Sequence, residues 1–108
     1  MADPSFNEQA ITCITRAIDN KFGEGVRQVL FWKFQEVTKL GIRDIPRKPE
    51  VFVECMHMVF GAGSASIERA IVEGLVNEFK IIVSGDSGVV SALQAAKSKR
   101  LREDLTES

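Results

Sequence analysis

The sequence predicts an all-α protein: a compact four-helix domain, then one more helix beyond a Ser/Gly hinge. Three observations carry this. Apolar residues recur at helical spacing in five separate stretches. No stretch reads convincingly as a strand. The breaks between stretches hold Gly, Pro and Ser, residues that stop helices and start turns. The chain has 108 residues, 44% of them apolar and 27% charged. That suits a single soluble domain with one core.

The first helix is read in "SFNEQAITCITRAIDNKF", residues 5–22, with Phe6, Ala10, Ile14, Ala17, Ile18 and Phe22 on one stripe, widened by Ile11 and Cys13. Ser5 and Glu8 have the spacing of a capping box. Gly23 and Gly25 end the helix. The second is "GVRQVLFWKFQEVTKL", with Val26, Val29, Leu30, Phe34, Val37 and Leu40 as its core stripe and Phe31 and Trp32 off it. Gly41 is expected to close this helix in a left-handed conformation. In "IRDIPRKP", Pro46 and Pro49 disfavour helix before them, and Ile42 and Ile45 are expected to anchor the loop. Pro49 suits the first turn of the third helix.

The third helix, "PEVFVECMHMVF", turns Phe52, Cys55, Met56, Val59 and Phe60 inward. The fourth, "ASIERAIVEGLVNEFKII", has a stripe of Ile67, Ala70, Ile71, Gly74, Leu75, Phe79 and Ile82, with Glu68, Glu73 and Lys80 in water. Gly74 costs about 1 kcal/mol relative to alanine inside a helix, so close approach of another helix is expected there. "SGDSG", residues 84–88, reads as a hinge between a domain at 5–83 and a C-terminal segment at 84–108. That segment holds a fifth helix, apolar at Val89, Val90 and Leu93 and charged along "KSKRLRED".

Composition narrows the function classes. The formal charge is −1, without the global basic excess of most nucleic-acid binders. No segment approaches the roughly 20 apolar residues of a membrane span, and "MADPSF" does not read as a signal peptide. A cytoplasmic location without membrane association is the expectation. Two cysteines, Cys13 and Cys55, do not make a disulfide framework and are expected to be buried thiols.

"FGAGSASIE", residues 60–68, invites a phosphate-loop reading. A P-loop needs a lysine after its last glycine, and a dinucleotide fingerprint needs a third glycine where Ile67 stands. As a DNA-reading helix-turn-helix it would present Glu68, Glu73 and Glu78 to phosphates, which repel them. The stretch therefore reads as a hinge, with Ser64 or Ser66 capping the next helix and Glu68 favouring its first turn. Glu54, Cys55 and His57 are too close along one helix to converge on a metal ion. A nucleophilic triad is poorly supplied, so no enzyme activity, metal or cofactor is expected. A ligand pocket among Met56, Met58 and the phenylalanines is a distant alternative.

The aromatic "VLFWKFQEVTKLGI", the loop "RDIPRKPEVF" and "MVFGAGSASIERAIVEGL" together resemble the Nitrosopumilus-type output domain, a small helical archaeal family. The features that match are Phe31 and Trp32, Ile45 and Pro46, Phe60, Gly61 and Gly63, then Ile67 and Glu68. The resemblance runs over residues 6–82, and Ser64 stands where the family usually has alanine. It implies an archaeal, cytosolic, all-helical domain with regulatory or interaction roles, and no catalytic residues.

The expected function is a non-enzymatic interaction or regulatory module. Its partner is a protein, including a second copy in a homodimer, and its face carries Phe31, Trp32, Val89, Val90 and Leu93. The alternative is a nucleic-acid-associated regulator using Lys97, Lys99, Arg100 and Arg102 of the last helix with Arg43, Arg47 and Lys48 of the proline loop.

Overall fold

A computed structural model describes residues 4–106, with side chains from 6 to 103. The all-α class holds. Among the described residues there are five α-helices, α1 (Pro4–Phe22), α2 (Glu24–Thr38), α3 (Pro49–Phe60), α4 (Ser64–Phe79) and α5 (Val89–Thr106), with 3-10 turns at Ile42–Asp44 and Gly61–Gly63. The Ser5 half of the expected capping box lies outside the described side chains.

Glycine separates α1 from α2. Gly23 takes φ 92°, a left-handed conformation that turns the chain sharply. An Asp19–Arg27 ion pair at 2.8 Å ties the two helices across that corner. At its far end α2 stops at Thr38, earlier than Gly41. Lys39 takes the left-handed cap position at φ 61° and its N–H bonds to Gln35 O, while Gly41 is extended. In the following loop the Asp44 carboxylate accepts the Gly41 N–H, and Ile45 is sealed in the core. Pro49 opens α3, as its missing N–H allows.

α1 and α4 cross where Gly74 meets Ala17 and Cys13. A Cβ on Gly74 would stand 3.1 Å from the Ala17 Cβ and 3.5 Å from the Cys13 Sγ. The missing side chain therefore permits the close approach that offsets its helix-propensity cost. The pair is antiparallel, with a Gln9–Glu78 hydrogen bond near one end and a Lys21–Glu73 pair nearer the other.

The core stripe of α2 is rotated from the expected one. Leu30, Phe31 and Phe34 are buried, whereas Val29 and Val37 are about half exposed. The cause is α3: Phe52 projects between Phe31 and Phe34 in edge-on contacts with centroids at 6.2 and 5.6 Å. Phe31 thereby joins Phe34, already on the expected stripe, in aromatic contacts with Phe52, and α2 turns that side inward.

The fourth helix is also shorter than its apolar pattern. Lys80 closes it in a left-handed cap (φ 56°). Ile81 is then buried and Ile82 is 97% exposed. Residues 80–88 form a return strap. The Glu68 carboxylate, near the start of α4, accepts the Val89 N–H at 3.1 Å. Lys99 in α5 donates to the Phe79 and Lys80 carbonyls at the end of α4, at 3.2 and 2.8 Å. α4 and α5 therefore run parallel, and the strap carries the chain back along α4.

Parallel neighbours put like ends of their helix dipoles side by side, which is unfavourable. Glu68 and Lys99 answer this in part: a carboxylate sits at the N-terminal end of α5 and an ammonium at the C-terminal end of α4. Glu68, expected in water, is thus the cap of α5. Replacing Glu68 by alanine is expected to lower stability by about 1 kcal/mol, as for loss of other N-caps, with Glu68→Gln costing less. Urea titration followed by circular dichroism measures both.

Val89, Ala92, Leu93 and Ala96 of α5 join one continuous core with Phe6, Ile14, Met56, Ile71 and Phe79. The radius of gyration, 13.5 Å, is close to the roughly 13 Å of a packed chain this long.

Candidate interaction surface

The structure divides the five expected interface residues. Phe31, Val89 and Leu93 are 6%, 0% and 3% exposed. They are held inside this chain: Phe31 packs against Phe52 of α3, and Val89 and Leu93 are covered because α5 docks on its own α4. Val90 is half-buried. Trp32 stands out at 59% exposure. A helix advances about 100° per residue, which places Trp32 opposite the buried line of Leu30, Phe31 and Phe34. Gly25 and Glu36 fall near the same outer line, with Gln28 and Val29 flanking it. All of these are exposed. The Lys33 ammonium lies 5.3 Å from the Trp32 ring centroid and pairs with Glu36 at 3.2 Å, which limits the freedom of the indole.

The expected basic residues are divided as well. Lys99 is committed to the α4 terminus. Arg100 reaches back to α1, where it donates to the Gln9 side chain and lies 5.9 Å from the Phe6 ring centroid. Gln9 also donates to Glu78 at 2.8 Å, so one network joins α1, α4 and α5. Lys97 and Arg102 face outward, as do Arg43, Arg47 and Lys48 in the α2–α3 loop. Of the seven cations, Lys99 and Arg100 are thus drawn into the fold and the other five are exposed.

Chemically reactive groups are quiet. The buried Ser64 hydroxyl bonds to Gly61 O and to His57 Nδ1, both at 2.8 Å. A hydroxyl has one proton. Ser64 donates it to the carbonyl, which assigns the proton of the second bond to His57 Nδ1. Ser64, expected with Ser66 as a candidate cap of α4, thus ties down the turn after α3. Burial pushes the Cys13 thiol up to about 11, helped by nearby Glu78, and burial also raises Cys55. Neither supplies a thiolate near neutral pH. Met56 is fully buried and Met58 is exposed, so the two methionines point apart. Among the described residues no three potential ligands converge on a metal position, and no helix is long and apolar enough to cross a membrane.

A groove of about 670 Å³ lies between α4 and the strap. Glu68, Arg69, Glu73 and Asn77 line one side and residues 83–88 the other. Nothing in the residue pattern signals this groove, since it exists only because α5 is parallel to α4. No family model, curated protein or solved structure matches the chain.

Proposed function

We propose that the chain is a protein-interaction module, without catalysis of its own, that offers the outer face of α2 to a protein partner. The observation that carries this is Trp32. The largest side chain in the sequence stands on the outermost line of its helix, away from the core and held by Lys33. Tryptophan is costly to leave in water and is enriched at the centres of protein interfaces. The quiet chemistry of Ser64, His57 and the two cysteines favours binding over catalysis. The engagement of Lys99 and Arg100 within the fold favours a protein partner over nucleic acid. The resemblance to the archaeal output domain family agrees with a regulatory role.

Photo-crosslinking in the cells that make the protein tests this. A photoreactive phenylalanine analogue at position 32 is expected to give covalent protein adducts. The same group at Glu8, also exposed, is not. Absence of adducts at 32, or equal adducts at both positions, removes the reading.

A further inference from the structure

We infer that the groove between α4 and the return strap takes an extended, basic peptide segment of a partner protein, laid beside the strap as an added strand. This site is separate from the α2 face and does not depend on it. The main chain of the strap is the first ground. The strap is anchored at both ends: the Ile81 N–H donates to Val76 O at 3.3 Å, and the Val89 N–H donates to Glu68 at 3.1 Å. Between the anchors one turn closes, with the Ser87 N–H on Ser84 O at 3.0 Å. Among the described residues, no group accepts the N–H groups of 82–86, and none donates to the carbonyls of Ile82, Val83, Gly85 or Asp86. Ile81 is buried and Ile82 is 97% exposed, the alternation of an extended chain. An extended segment with a row of unpaired main-chain groups is a template for a further strand. Because the fold already fixes both ends of this row, little order has to be imposed on it when a segment binds.

The groove beside the row matches a peptide in length and in chemistry. Its lining runs along α4 from Ala65 to Asn77, about 18 Å at roughly 1.5 Å per residue, which is the reach of about five extended residues. Val72 and Val76 give it an apolar floor, and residues 83–88 form the facing wall. A two-stranded ribbon is marginal alone, but packing against a helix supports it, and α4 is that helix.

The charges of the lining select the occupant. Glu68, Glu73 and Asp86 stand against the one cation Arg69. Glu73 holds Lys21 only loosely, at 3.8 Å with both side chains more than half exposed, and Asp86 is exposed on the strap. Side chains of an extended segment alternate in direction. Aliphatic ones therefore settle on Val72 and Val76, and Lys or Arg between them face the carboxylates. An acidic segment is repelled. A helical segment bonds its own main chain internally and leaves the row of the strap unpaired.

The experiment is an NMR titration of the purified full chain with a capped peptide of about six residues that alternates lysine and valine. The peptide is taken to a few mM, a range that detects dissociation constants near about 1 mM. Shifts are expected at the amides of 82–88 and along the outer face of α4, with none at the Trp32 indole. The same peptide N-methylated at every amide keeps its charges and side chains but cannot donate, and is expected to bind about tenfold more weakly, as the loss of one or two hydrogen bonds predicts. A glutamate–valine peptide is expected to give no shifts. Asp86→Lys is expected to weaken binding roughly threefold to tenfold. Val76→Lys, at a half-buried position of the floor, is expected to abolish it, with circular dichroism showing that each variant remains folded. No shifts with the lysine–valine peptide, shifts centred outside the groove, or equal binding of the N-methylated or the glutamate–valine peptide overturns the proposal. If Val76→Lys does not fold, the Asp86→Lys and N-methyl results decide it.

Discussion

Replacing Leu93 by aspartate is expected to cost about 5 kcal/mol, close to the whole stability of a domain this size, which is roughly 5–15 kcal/mol. Leu93 is 3% exposed on the face of α5 that joins the core. The substitution forfeits about 2–3 kcal/mol of apolar burial. It also forces a carboxyl group into a site lined by apolar side chains, at a further few kcal/mol. Val90→Asp, on the half-buried side of the same helix, is the control and is expected to cost no more than about 1 kcal/mol. Urea unfolding followed by circular dichroism gives both numbers. Equal costs for the two variants would mean that α5 is not docked as described.

Phe52→Ala is the second large effect, expected to lower stability by about 3–5 kcal/mol. Phe52 is fully buried and lies edge-on to both Phe31 and Phe34. Its loss empties the junction between α2 and α3 and removes two aromatic contacts, each worth about 0.5–1.5 kcal/mol beyond its area. Without Phe52, α2 also loses its reason to turn Phe31 inward. The signature is therefore a large fall in the urea midpoint together with a change in near-ultraviolet dichroism. Phe60→Ala, at a half-buried position, is expected to cost visibly less. A cost for Phe52→Ala below about 2 kcal/mol would show that this junction does not organise the α2–α3 pair.

The helices were legible because their signals are local. Periodicity, Pro49 at the start of α3, and glycine between α1 and α2 act within a turn of where they are read. Gly74 was legible too, since a glycine inside a strong helix asks for a close neighbour and Ala17 supplies one. The rotation of α2 was not. Its valines and phenylalanines offer two overlapping apolar stripes, and the choice between them belongs to Phe52, on a different helix. The role of Glu68 was hidden for the same reason: its partner, the Val89 N–H, is brought to it only by the path of residues 80–88. Ser/Gly-rich composition there reads equally well as a hinge between bodies or as a strap within one body. Direction of travel leaves no mark on composition. As for the surface, the prominence of Trp32 was legible as an aromatic off the stripe. Phe31 beside it carried the same signal and is core.

The return strap has a consequence for how the chain tolerates changes in length. Residues 80–88 reach about 30 Å when extended. The span they must cover, back along α4 from Phe79 to the level of Glu68 and across to α5, is roughly 20 Å. Added residues only enlarge a surface loop, and doubling a loop costs about 0.6 kcal/mol. Removed residues soon leave too little chain to bring Val89 back to Glu68, and α5 must then give up its place in the core. Insertions and deletions at this one segment are therefore not mirror images: the protein can absorb the first, and loses the docking of α5 once more than about three residues are removed.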